Sequence, residues 1–181
     1  MMYFIKRFFT GSLFFILLPA GQGAFAAAYA FATHWEIRAP LGEVWTAIYH
    51  AESWPEWWKG VEVATIRPGS GDGTGTVMDF AWQSRLFYKL RFRMELTEKE
   101  DRRLLRGVAT GDLEGTGTWY FREENNITYI DYHWQVRTTR PWMNLFSFLL
   151  RPAFRKNHDI LMKRGAEGLA RKLNADLIAY H

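Results

Sequence analysis

Between Val61 and Thr138 apolar residues recur at every second position, a period that only an extended chain turns into a continuous face. Leu86, Tyr88, Leu90, Phe92, Met94 and Leu96 fall on one side, with Lys89, Arg91, Arg93 and Glu95 on the other. Ile130, Tyr132, Trp134 and Val136 oppose Asp131, His133, Gln135 and Arg137 in the same way. Turn-forming clusters at Gly69 to Gly75, Asp101, Gly111-Asp112 and Asn125-Asn126 cut the stretch into strands. Strands with one polar side belong to antiparallel sheets, so the pattern predicts a meander of about six strands.

The flanks of the meander read differently. Tyr29, Phe31, Thr33, Trp35 and Ile37 alternate as one more strand. After Pro40, the spacing of Leu41, Val44, Trp45 and Ile48 predicts a helix over residues 41–50, and Pro55 opens a second short one in Trp54-Pro55-Glu56-Trp57-Trp58. From Pro141 to about Ala175 the chain reads as helix, interrupted at Pro152. Phe154, His158, Leu161, Met162, Gly165, Leu169 and Leu173 share one arc of its wheel, and Gly165 and Gly168 predict close approach to the sheet. The expected fold is α+β, one domain, a curved antiparallel sheet of about seven strands wrapped around a long C-terminal helix. Such a sheet cannot close on one helix everywhere, and the gap predicts a hydrophobic cavity capped by the two short helices.

The first 26 residues differ in kind. Lys6 and Arg7 precede an apolar run, Phe8 to Leu18, then Pro19 and Ala24-Phe25-Ala26, the three parts of a secretory signal peptide. A retained membrane anchor is the alternative, since residues 8–28 are long enough, although Thr10, Gly11, Ser12, Pro19, Gly21, Gln22 and Gly23 interrupt them. The domain is then expected over residues 27–181, periplasmic, secreted or membrane-anchored, and cytoplasmic if the leader does not act. The chain has no cysteine, which excludes disulfides and thiolate metal sites. Its net charge of +4 falls to +2 without Lys6 and Arg7, too weak a balance for a nucleic-acid partner. Residues 137–172, however, carry nine Arg or Lys against Asp159 and Glu167, so an anionic membrane surface is a second partner class, weighed against an ordinary solvated face.

Five segments carry a resemblance: Ala39-Pro40 to Trp45; Trp54 to Trp58; Gly111-Asp112-Leu113-Glu114-Gly115 with Trp119; Arg137 to Asn144; and Arg151-Pro152 to His158-Asp159. On them the chain resembles the START-like (SRPBCC) superfamily, the helix-grip fold, and within it the bacterial polyketide cyclase/dehydrase and lipid-transport group. The resemblance covers residues 29 to about 175. It implies a pocket for a hydrophobic small molecule, and it spans carriers, receptors and cyclases alike. Two positions depart from the expected pattern: Phe87 stands where proline is expected, and Lys156 where an aromatic is expected before Asn157.

The leading reading is therefore a module that binds, and in one version transports, a lipid, isoprenoid or polyketide. The alternative is a cyclase or dehydratase using the same cavity. Candidate ligand contacts are Trp58, Trp82, Tyr88, Arg106, Trp119, Tyr132, Trp134, Phe154, His158 and Met162. His158 faces the sheet and is the one catalytic candidate, set against a histidine that merely hydrogen-bonds a strand carbonyl. Asp112 after Gly111 reads as a turn or cap residue, Asp131 as a surface partner of Arg137, and the face of Asp79 stays open. Residues Gly69 to Gly75 lack the Gly-Lys-Ser/Thr of a phosphate loop and read as a hairpin loop at the cavity mouth. No zincin or nucleophile-elbow motif occurs, and neither a metal nor a cofactor is expected.

Overall fold

The structure, a computed structural model, describes residues 27–83 and 88–181. The expected leader over residues 1–26, Leu86 of the expected alternation, and Phe87, where the resemblance expects proline, lie outside the described residues.

Strand β1 (Ala28–Ile37) is followed by helix α1 (Leu41–Tyr49), a 3-10 turn (Ala51–Ser53) and helix α2 (Trp54–Trp57). Strands β2 (Val61–Arg67), β3 (Val77–Gln83), β4 (Lys89–Glu100), β5 (Leu104–Gly111), β6 (Leu113–Glu124) and β7 (Ile127–Thr138) form the meander. Helices α3 (Pro141–Leu145) and α4 (Ser147–Lys172) and strand β8 (Leu177–Tyr180) complete the fold. The sheet runs β2-β3-β4-β5-β6-β7-β1-β8, antiparallel throughout, curved and unclosed. The alternation holds residue by residue. Thr33, Trp35 and Ile37 of β1 and Ile130, Tyr132, Trp134 and Val136 of β7 are all buried, and Phe31 pairs with Trp134 across the two strands.

Two features differ from the sequence expectation. The sheet has eight strands rather than about seven, because the chain turns back after α4 and adds β8 to the edge of β1. Asn174, at φ 49°, ends the helix in the left-handed region, and the Ala175 amide returns to the Ala170 carbonyl. A four-residue strand is too short to show its period. The break in the C-terminal segment also falls at Phe146 rather than at Pro152, through which α4 continues. Pro152 stands in the second turn, where its missing amide frees only the Phe148 carbonyl, on an exposed stretch that water reaches.

The close approaches announced by the glycines are present, with one shift of partner. A Cβ on Gly165 would stand 2.4 Å from the Trp58 ring and 2.9 Å from that of Trp35. One on Gly168 would stand 2.0 Å from the Trp57 carbonyl, so that glycine admits α2 rather than the sheet. Trp58, wholly buried, donates its Nε1 hydrogen to the Leu161 carbonyl at 2.8 Å and ties α2 to α4. The space between sheet and α4 is thus filled with indole rings.

Candidate ligand cavity

Because tryptophans fill the space beneath α4, a strongly apolar-walled opening lies farther along the sheet, under the end of α1. It encloses about 330 Å³. Its roof is Ile48, Tyr49 and His50 with Ala51, Glu52 and Trp54. Its walls are Met78, Phe80 and Trp82 of β3, Met94 and Leu96 of β4, Leu105 of β5, Trp119 of β6 and Tyr132 of β7. Among the described residues none from α4 lines it. The volume exists because Gly107 and Gly117 face each other across β5 and β6. A Cβ on Gly117 would lie 2.8 Å from both the Tyr132 hydroxyl and the Trp134 ring, and one on Gly107 would lie 2.5 Å from Met94 Cε. Both glycines line the cavity and leave room that any side chain would take.

The sequence candidates divide by place. Trp82, Trp119 and Tyr132 line the cavity, with Tyr132 stacked on Trp119 at 4.0 Å. Trp134, Phe154 and His158, with the other side of Trp82, surround a second space of only about 40 Å³. Trp82 and Trp134, 5.8 Å apart, stand between the two spaces. Trp58 and Met162 are sealed in the core and line neither. Arg106 borders the cavity, but its guanidinium bonds Glu98 and, at 3.3 Å, Thr118, which directs the charge to the outer side of the sheet. Tyr88 lies at the far end of β4, where its hydroxyl donates to Asp112.

His158 is enclosed but does not hydrogen-bond a strand carbonyl. Its ring stacks on Phe31 at 4.2 Å, Nδ1 is 3.6 Å from Asp159 Oδ1, and Nε2 has no partner among the described residues. Burial disfavours the cation and lowers its pKa to about 4, against a smaller opposing pull from Asp159. Tyr132 is fully buried, and burial pushes its phenol well above the ordinary value, so at neutral pH it remains a neutral O–H at the cavity floor.

The carboxylates resolve into structural roles. Asp112 is buried, and its oxygens accept from Tyr88, from the Arg91 amide at 3.0 Å and from Arg140 Nε at 2.6 Å. Burial opposes ionisation, yet these bonds outweigh it and hold its carboxyl below the ordinary value. Asp112 therefore joins β4, the β5–β6 bend and the approach to α3. Asp131 is on the polar side as expected, but its partner is His34 Nδ1 at 2.6 Å, and Arg137 pairs instead with Glu114 at 2.8 Å. Residues six apart on a strand stand roughly 20 Å from each other, whereas cross-strand neighbours stand side by side. Asp79 faces outward and pairs with Arg93 at 3.2 Å.

The sequence reading missed the polar groups at the mouth. His50 Nδ1 lies 2.9 Å from Glu52 Oε1, and both half-exposed residues border the cavity. Nothing in the local pattern marks them, since their position depends on the 3-10 turn between α1 and α2. The Gly69–Gly75 loop does lie at the mouth, where Pro68 and Thr76 border the opening and the Tyr49 hydroxyl donates to the Asp72 carbonyl at 3.3 Å. Hydrogen bonds from Thr74 and Ser70 hold the Asp72 carboxyl down at about 2 and make the loop a self-bonded turn. Among the described residues no three His, Asp or Glu side chains converge as a metal site requires.

This architecture recurs in solved structures. A Thermus thermophilus protein, TTHA0849, superposes with a TM-score of 0.66 at 21% identity, over 80% of this chain and 99% of its own. The Zhui aromatase/cyclase from Streptomyces sp. R1128 does so at 0.65 and 11%, over 82% and 94%. A START superfamily protein from Mycobacterium smegmatis gives 0.65 and 10%, over 80% and 97%. No curated protein sequence matches the chain. Such identities speak for the fold alone. The sequence itself matches, over residues 30–174, the family described as polyketide cyclase / dehydrase and lipid transport. That span takes in every strand of the meander and all of α4, and on it the chain belongs to the polyketide cyclase/dehydrase and lipid-transport family of the START-like superfamily.

Proposed function

We propose that the domain binds, and hands on, one hydrophobic small molecule held in the cavity under α1. The observation that carries this reading is the facing glycine pair, Gly107 and Gly117, which keeps about 330 Å³ open in a domain otherwise packed with indole. That volume is near the lower end of the roughly 300–1,000 Å³ typical of ligand pockets, which favours a fused-ring polyketide or a short isoprenoid over an enclosed two-chain lipid. Apolar walls supply affinity, and the neutral Tyr132 hydroxyl supplies one oriented donor. Native mass spectrometry of the purified protein, followed by solvent extraction, is expected to release a hydrophobic species. Titration with such molecules is expected to quench the fluorescence of Trp54, Trp82 and Trp119. Protein that remains empty and unquenched across polyketide, isoprenoid and fatty-acid probes overturns the reading.

A second reading is favoured by the His50–Glu52 pair at the mouth, a titratable couple opposite a phenol that stays protonated. A cyclase or dehydratase needs a base and a proton donor on the same bound chain. Under this reading His50→Gln abolishes turnover of a poly-β-keto probe and leaves its affinity within about twofold. Unchanged product formation removes it.

A further inference from the structure

The end of the molecule carrying α3 and the start of α4 exposes a cluster of large apolar side chains. Phe148 is 86% exposed, Leu145 77% and Leu149 71%, with Phe146 and Trp142 beside them. The cluster is held firmly from behind: Met143 of α3 is 1% exposed, and Trp142 meets Tyr88 edge to face at 5.4 Å. Large contiguous apolar patches on soluble domains mark surfaces that something covers.

Three further observations identify what covers this one. Directly along α4, Arg151, Arg155 and Lys156 line a groove against the first residues of β1, with Asp159 the one acid there. Among the described residues none of these three cations has a carboxylate partner, unlike Arg137, Arg140 and Lys163, whose partners are Glu114, Asp112 and Glu167. An apolar wedge bordered by Arg and Lys without carboxylate partners, Arg151 lying over the Tyr29 ring at 5.8 Å, is the composition of a surface that sits at an anionic bilayer, rings and leucines at the acyl boundary and cations among the headgroups. The end of the described chain that follows residues 1–26 is here too. The Ala27 amide donates to Asn144 Oδ1 of α3 at 3.0 Å, and Thr138 donates to the same oxygen at 2.6 Å. The described chain therefore begins on the patch side of the domain, at Ala27.

We infer that the α3–α4 junction is a membrane-docking surface, which inserts Leu145, Phe148 and Leu149 into an anionic lipid bilayer and places Arg151, Arg155 and Lys156 against its headgroups. The inference is independent of what fills the cavity, because among the described residues none from α3 or α4 lines it.

The chain has no cysteine, so Phe148→Cys and, separately, Leu149→Cys in the full chain each accept one environment-sensitive fluorophore. Asp101→Cys, at the opposite end of β5 from Asp112, serves as the control. With vesicles of equal phosphatidylglycerol and phosphatidylcholine, the labels at 148 and 149 are expected to shift to the blue while the label at 101 does not. Phosphatidylcholine alone gives a weaker response. The triple variant Arg151→Glu, Arg155→Glu, Lys156→Glu is expected to lower partitioning into the anionic vesicles about tenfold or more. Labels at 148 and 149 that stay in water with anionic vesicles overturn the inference. It is equally overturned if both are already shielded without vesicles. Shielding that ignores protein concentration assigns the patch to the leader, and shielding that rises with it assigns the patch to a second copy of the chain.

Discussion

His158 shows how much a single residue's surroundings decide. Its position on the apolar arc is plain from the wheel, and the structure buries it as that arc requires. What the wheel cannot show is that the neighbouring surface is the Phe31 ring, so the imidazole stacks and its Nε2 goes unpaired. A histidine held neutral carries a pH signature with a definite sign. The unfolded chain titrates near 6.5 and the folded one at about 4, so the unfolded state binds the extra proton between those values. The stability associated with neutral His158 is complete above about pH 6.5 and is lost as pH falls towards 4, by about 3 kcal/mol. Urea unfolding at pH 7, 5.5 and 4 is expected to show that loss, and His158→Leu is expected to flatten it. Asp112 acts in a lower window. Its folded pKa is depressed, so its contribution is present above about pH 4 and disappears as pH falls through the folded value. Asp112→Asn leaves Arg140 without its counter-charge and is expected to cost about 1.5–3 kcal/mol at pH 7, measured by the same melts.

The elements were legible where one period ran long enough to count. Ten to twelve alternating residues in β1, β4 and β7 gave both the strand and its buried side, and the turn clusters gave their ends. β8, with four residues, and the 3-10 turn that carries His50 and Glu52 to the cavity are set by contacts with distant chain, and no local pattern encodes them. Glycine shows the same division within one hairpin. Gly107 and Gly115, in β5 and β6, look alike in sequence, yet they are constrained by different neighbours. A Cβ on Gly107 meets the flexible end of Met94, which can swing aside into the cavity. A Cβ on Gly115, at φ 151°, meets the Gln135 carbonyl at 2.0 Å and cannot. Gly107→Ala is therefore expected to change stability by less than about 1 kcal/mol while weakening ligand binding several-fold, because Met94 then occupies the pocket. Gly115→Ala is expected to lower stability by more than about 2 kcal/mol, because backbone must move. Thermal melts beside fluorescence titration separate the two outcomes.

At the scale of the molecule, the nine tryptophans of this 181-residue chain divide by position. Trp35, Trp57 and Trp58 pack where sheet, α2 and α4 meet, Trp54, Trp82 and Trp119 line the cavity, and Trp142 belongs to the exposed junction. Composition admits either an aromatic core or an aromatic-walled pocket, and which tryptophan faces which space follows from sheet curvature, a property of eight strands together. The division also separates two kinds of attraction. The cavity is apolar, and burial there is driven by removing hydrocarbon from water, which added salt does not screen. The α3–α4 junction adds Arg151, Arg155 and Lys156, whose attraction to anionic lipid is screened over about 10 Å at 0.1 M salt and about 3 Å at 1 M. Raising sodium chloride from about 0.05 to 0.5 M is therefore expected to weaken association with phosphatidylglycerol vesicles at least tenfold and to leave ligand affinity within about twofold. Vesicle flotation and tryptophan quenching on the same preparation read the two quantities side by side. If both fall together, the cavity is filled only at the membrane, and the two ends of the molecule act as one device.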